Sequence, residues 1–278
     1  IAEVDPAAIN QRVLDGYILE KNVFYDLKEL FEVAKEWQLK KEGVCLVYAG
    51  NIVDLWEFVV AQNINVALGS DQTSLHNIDD LGYCPSGYNF EEAQILLNQN
   101  KAQFMEEVRK TLRRHVSAIN VLSSRGMYFW DYGNAFLKEA GKANAEIWKS
   151  ESEGTYRYPS YVEDIMGPMC FDYGFGPFRW VCTSGNLVDL KESDKIAAEV
   201  VERLVNETEG NTKSQNQDNL NWIKNASANL PLVGSKSRIL YADTIGRIKI
   251  AKALNEAIRV GQISAPIVLG RDHHDVSG

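Results

Sequence analysis

The chain has 278 residues, 45% of them hydrophobic and 24% charged, with a formal net charge of −9. This composition excludes a disordered or fibrous chain and fits one large α/β domain or two smaller ones. The acidic balance argues against a nucleic-acid surface, and no apolar run approaches the ~18 residues of a transmembrane helix.

Taken in chain order, strand-like and helix-like segments alternate. Ile1–Val4 is short and extended, and Tyr25–Lys40 carries Leu27, Leu30, Phe31, Val33 and Ala34 at helical spacing. Val44–Ala49 is a continuous apolar run ending at Gly50, as in a buried parallel strand. Ile52–Gln62 follows as a helix with Asn51 as N-cap. Asn65–Leu68 is a strand that gives way to a polar turn at Gly69-Ser70-Asp71. Phe90–Leu122 is a long amphipathic stretch of one or two helices, Met127–Tyr132 a strand, and Ala135–Lys142 a helix. The rhythm predicts a doubly wound, Rossmann-like parallel sheet.

Between Lys149 and Asn186 the rhythm breaks into an irregular, aromatic-rich segment leading toward part of a second, substrate domain. The expected division is 1–150 for a Rossmann-like nucleotide-binding domain and 151–278 for its remainder and the start of the substrate region. Lys195–Val205 predicts a helix, Glu207–Gln217 a polar loop, Arg238–Ala242 a strand, Ile245–Val260 a helix and Ala265–Gly270 a final strand. The chain opens without an initiator Met, inside a strand, and stops just after a dense polar cluster. Both ends predict a piece of a longer protein, and Ile1–Asp5 does not have the pattern of a signal peptide. Cys45, Cys84, Cys170 and Cys182 form no CxxC pair, which predicts reduced cytosolic thiols and no zinc site or disulfide framework.

The polar residues that could carry chemistry fall just after predicted strands, at the carboxyl edge where ligands bind a parallel sheet. Glu3 stands where an acid would hold a nucleotide ribose, or where a solvated acid would end a strand. Gly50-Asn51 allows close approach of a ligand, or caps a helix. Ser70–Asn77 offers hydroxyls, amides and His76, or simply a polar turn. Phe129–Asn134 ends an aromatic strand in an acid and the Tyr132 phenol. Gly174–Trp180 places Arg179 among rigid and permissive residues, for an anion or for a stack on Trp180. Gly270–Asp275 packs Arg271, Asp272, His273, His274 and Asp275 together, for acid/base work, for a metal or for structural ion pairing. Cys170 is a weaker nucleophile candidate with no fixed base nearby in sequence.

Four of these runs together identify a resemblance to the urocanase family: Gly69-Ser-Asp-Gln-Thr-Ser-Leu-His76, Phe129-Trp-Asp-Tyr-Gly-Asn134, Gly174-Phe-Gly-Pro-Phe-Arg-Trp180 and Gly270-Arg-Asp-His-His-Asp-Val-Ser-Gly278. The match runs over nearly the whole chain in the family's order. Arg238-Ile-Leu-Tyr241 resembles the eukaryotic-type branch and sets Leu240 where bacterial relatives have an active-site Cys. The resemblance implies urocanate hydratase activity in histidine degradation, converting urocanate and water to imidazolonepropionate. It implies a tightly bound NAD+ used as an electrophile, with no net hydride transfer, in a cytoplasmic homodimer without a catalytic metal.

Carried over by motif, Glu3 would hold the adenosine ribose. Asn51, Ile52, Gln72, Thr73, Ser74, Leu75, His76, Tyr83, Cys84 and Tyr132 would contact NAD+. Arg179 would bind the urocanate carboxylate, and Asp272, His273 and Asp275 would move protons and position water. A basic residue expected soon after the ribose acid is replaced by Ala8, with Arg12 the nearest substitute. The family's glycine-rich turn lies outside this sequence. The alternatives are a conventional NAD(P)-dependent dehydrogenase, a non-catalytic nucleotide-binding fragment, and a metal hydrolase built on Asp272–Asp275.

Overall fold

A computed structural model describes residues 1–150, 154–228, 237–264 and 267–271. The chain divides into two compact units, 1–165 and 166–278.

In the first unit every strand pairing is parallel. Strands β1 (Ala2–Glu3), β2 (Val23–Phe24) and β3 (Val47–Ala49) form one sheet in the order β1-β3-β2. Strands β4 (Leu68–Asp71) and β5 (Tyr128–Asp131) form a second, in register from Leu68 opposite Tyr128 to Asp71 opposite Asp131. Helices lie between the strands: α1 (Pro6–Leu14), α2 (Leu27–Lys40), α3 (Ile52–Ala61), α4 (Phe90–Gln99), α5 (Lys101–Ser124) and α6 (Ala135–Lys142).

Local chemistry sets the helix starts. Asp5 precedes Pro6 and accepts from the Ala7 N–H at 2.8 Å, a cap that begins α1. Asn51 caps α3 through the Val53 N–H at 2.9 Å. Asn89 and Glu92 form a reciprocal capping box at α4. Asn100 breaks the long amphipathic stretch in two, ending α4 with a non-helical backbone and capping α5 through Gln103 N.

Helix α5 supplies the main apolar stripe. Phe104, Val108, Leu112, Val116, Ile119 and Leu122 are buried at three- and four-residue spacing and pack with Trp56, Phe129 and Phe136. Each such side chain contributes about 1.5–3 kcal/mol on full burial.

The second unit contains α7 (Gly167–Met169), α8 (Leu187–Glu207), α9 (Gly210–Ala228) and α10 (Thr244–Arg259). Its sheet joins β6 (Gly176–Cys182), β7 (Ser237–Ala242) and β8 (Ile267–Arg271) in the order β7-β6-β8, all antiparallel.

Two sequence expectations are corrected here. The stretch containing Arg179 is a central strand and not irregular. Phe178, Trp180 and Cys182 face the core in strict alternation, a period-two signal masked in sequence by Gly176-Pro177. Glu207–Gln217 is not a loop, because α9 begins at Gly210 and runs through it. Leu220 and Ile223 bury one side of that helix, and its amides are used inward. Asn219 donates to the Tyr241 carbonyl at 2.8 Å, and Asn216 donates to Thr208 Oγ1.

The polar centre of this unit is an ion pair. Arg238 on β7 meets Asp194 on α8 through two contacts of 2.9 Å, with both residues about 2% exposed or less. Burial pushes the Asp194 carboxyl up, and the two guanidinium contacts pull it back. Leu240 is core: it is 2% exposed and opposite Phe178. No helix among the described residues is long and apolar enough to cross a membrane.

Replacing Arg238 by Met leaves a buried carboxylate without its cation. Urea unfolding should show a loss of about 3–5 kcal/mol. The double replacement with Asp194→Leu should recover much of that loss.

Candidate functional site

The strands of the first unit deliver their polar residues to one cleft of about 950 Å³. Its walls come from the residues that follow β1, β3 and β4, together with Gly82-Tyr83-Cys84 ahead of α4. This is the carboxyl edge of parallel strands, where chain ends leave the sheet and helix N-termini point outward.

Glu3 sits at the end of β1. Its Oε1 accepts from the Val4 and Asp5 N–H groups at 2.8 and 2.9 Å, which fixes the carboxylate at the cleft wall. Asn51 is buried and uses both ends of its amide: Oδ1 caps α3, and Nδ2 donates to the Cys84 carbonyl at 2.8 Å. Asn51 therefore ties two walls together and begins a helix at the cleft, and Ile52 follows it along the wall.

The segment after β4 folds back on itself. Asp71 Oδ1 accepts from Thr73 N at 3.0 Å and Thr73 Oγ1 at 2.6 Å. Gly82 lies so close beneath this turn that a Cβ would stand 2.1 Å from the Ser74 carbonyl oxygen. Only glycine lets the 72–74 wall and the 82–84 wall meet.

Tyr83 and Cys84 complete the cleft. Tyr83 is 3% exposed, and its hydroxyl lies 3.1 Å from His115 Nδ1. His115 is on the buried stripe of α5, edge-on to Phe136, and its Nε2 has no hydrogen-bond partner among the described residues. Desolvation pushes His115 down to about 3, so the ring is neutral and holds the phenol by one hydrogen bond. Burial, reinforced by Asp54, Glu3 and Glu92, pushes the Cys84 thiol up to about 12, so it is a wall group and not a nucleophile.

Of the residues named from sequence, the cleft brings together Glu3, Asn51, Ile52, Gln72, Thr73, Ser74, Tyr83 and Cys84. Three fall elsewhere in the same unit. Leu75 is 1% exposed in the core, His76 is exposed on the turn that follows, and Tyr132 stacks on Tyr161 at 5.5 Å. Arg179 is an exposed side chain on β6 in the second unit. Asp272, His273 and Asp275 lie outside the described residues. Arg12 and Ala8 also line the cleft.

Sequence reasoning placed Asp71 in a candidate polar run but not among the cofactor contacts, and did not single out Trp56 or Gly82. Trp56 looked like one more apolar helical position, and a glycine's close approach is visible only in three dimensions. Among the described residues no group of His, Cys, Asp or Glu is arranged to hold a metal ion.

The His115 ring makes a pH prediction. The folded protein keeps it neutral down to about pH 3, whereas an unfolded chain protonates it near 6.5. Stability from this residue is complete above 6.5 and is lost as pH falls. Between pH 6.5 and 5 the protein should lose about 2 kcal/mol more than a His115→Gln variant, measured by denaturant unfolding at each pH.

Comparison with known proteins matches the whole chain. A family model described as the urocanase Rossmann-like domain covers residues 1–165, and one described as the urocanase C-terminal domain covers 168–278. A probable urocanate hydratase from Dictyostelium discoideum is 50% identical over all of this chain and 41% of its own length. Urocanate hydratases from Mus musculus and Homo sapiens are 48% and 47% identical, again over the whole chain and 42% of their own lengths. The chain thus spans about two-fifths of the curated relatives it matches. With a Rossmann-like unit carrying the cleft and a second unit matched separately, the chain belongs to the urocanase family.

Proposed function

We propose that the cleft of the first unit is the NAD+ site of a urocanate hydratase, which adds water to urocanate to give imidazolonepropionate in histidine degradation. The observation that supports this most is convergence. Eight residues named from family motifs scattered between positions 3 and 84 line one cleft at the carboxyl edge of parallel strands.

The donor set fits a dinucleotide. The Glu3 carboxylate suits a ribose diol, because among the described residues its Oε2 accepts no hydrogen bond while Oε1 is held by two backbone N–H groups. The N-terminal turn of α3 presents its positive end to the same cleft and suits a pyrophosphate. Gln72, Thr73 and Ser74 offer amide and hydroxyl partners, and the neutral Tyr83 ring offers a flat wall. Bound there, NAD+ supplies an electron-poor ring that withdraws density from the substrate and makes it open to water.

In this reading Arg179 binds the urocanate carboxylate through its planar fork. Asp272, His273 and Asp275 hold and move protons near the added water, a role that rests on their motif alone. The complete protein works as a cytoplasmic homodimer, as the family resemblance implies.

The test is turnover in the full-length protein. Urocanate should be consumed with no net rise in NADH absorbance; accumulation of NADH would instead mark a conventional dehydrogenase. Arg179→Ala should raise KM roughly ten- to hundredfold, the loss of a hydrogen-bonded charge contact. An unchanged KM would remove Arg179 from the substrate site.

A further inference from the structure

Asp71 and Asp131 are register partners at the last positions of β4 and β5. Opposite residues of paired strands send their side chains to the same face, so two carboxyls are set side by side at the sheet edge. Both are buried, at 2% and 3% exposure. Two adjacent buried carboxylates cannot both carry charge cheaply.

Their surroundings divide the roles. Asp131 stands before α6; its Oδ2 accepts the Leu137 N–H at 3.2 Å, and the nearby backbone N–H groups of Gly133 and Phe136 add to the pull toward its ionised form. Asp71 has both its bonds, from Thr73 N and Thr73 Oγ1, on Oδ1 alone. Its Oδ2 has no partner among the described residues and is not fully enclosed, which leaves it to the cleft that Asp71 lines. The groups that act on Asp71 are Thr73 from its own loop and Asp131 from β5, and no cation is among them. The Tyr83 hydroxyl, across the cleft wall, is neutral and committed to His115.

We propose that Asp71 is a ligand-binding residue of the nucleotide cleft, whose protonated carboxyl donates a hydrogen bond through Oδ2 to an uncharged acceptor oxygen of the bound dinucleotide. The proposal rests on the reading of the cleft as an NAD+ site. The carbonyl of a carboxamide or a ribose hydroxyl is the class of acceptor that fits. A neutral Asp71 also removes a negative charge that would repel the ligand's phosphates.

The electrostatics agree with the geometry. Burial first, then the Asp131 charge, push Asp71 up to about 7, while Asp131, pushed up by burial, reaches about 6. The backbone donors around Asp131 favour charge on that carboxyl, and its charge helps hold the proton on Asp71. Ligand affinity should then be full at low pH and fall as pH rises through 7.

The experiment uses the full-length protein stripped of nucleotide, with NAD+ as the probe, titrated calorimetrically from pH 6.5 to 8.5. If only the protonated form binds, affinity falls roughly twenty-five-fold over that range, with proton uptake on binding at the upper end. Asp71→Asn keeps an uncharged donor and should bind with little pH dependence. A flat wild-type profile, or an Asp71→Asn profile as steep as the wild type, overturns the proposal.

Infrared spectroscopy of the ligand-free wild type reads the same proton without binding. A protonated-carboxyl band at pH 6.5 that titrates away by 8.5 is expected, and its absence at pH 6.5 overturns the proposal even if the variant fails to fold. Failure to bind NAD+ at any pH, with that band present, instead overturns the dinucleotide reading and with it the ligand assigned to Asp71.

Discussion

The parallel register of β4 and β5 is the constraint on which the site depends. It aligns Asp71 with Asp131 and releases both chains from the sheet at one level. Everything downstream of β4 is then built to close a wall: Thr73 holds Asp71, Gly82 passes under Ser74, and Asn51 clasps the Cys84 carbonyl. The register is itself held by the core beneath it. Phe129 packs from β5, and a Cβ on Gly69 of β4 would meet Met127, Trp56 and Phe129 at 2.9–3.3 Å. A ladder this tightly backed does not slip, because a one-residue shift would turn Phe129 out of the core.

The cleft is polar without being strongly charged. His115 is neutral, the Cys84 thiol stays protonated, and the paired acids share their burden unequally. Each state follows from desolvation, with local hydrogen bonds deciding between neighbours. Such a wall can accept an anionic ligand on helix α3 while offering neutral donors elsewhere. The second unit solves its polar problem differently. Arg238 and Asp194 are buried as a bidentate pair, and the turn before β6 is tied by Arg247 donating to the Gly174 carbonyl and by the positive φ of Gly174.

Much of this was legible in the sequence. Strong helical spacing located α2, α3, α5 and α6 to within a few residues, and the apolar run before Gly50 located β3. Strand ends were less readable. The segment Asn65–Leu68 was expected as strand, but β4 is Leu68–Asp71, because pairing with β5 and not apolar content set its limits. The strand β6 was hidden by Gly and Pro, and α9 by an Asn-rich face whose amides serve buried contacts. Within the site, motifs identified side chains but not their directions. Leu75 follows the motif yet turns into the core, and His76 turns outward, since a short helical turn there sends neighbours to opposite sides. The pairing of Asp71 with Asp131 needed the partner strand, which is sixty residues away in sequence.

The cleft at the ends of β1, β3 and β4 is the proposed seat of the dinucleotide. The most direct measurement is a crystal structure of the full-length protein purified with its nucleotide. Dinucleotide density is expected against Glu3, the start of α3 and Thr73, with an oxygen within hydrogen-bond distance of Asp71 Oδ2. Density in another part of the molecule, with this cleft filled only by solvent, would contradict it.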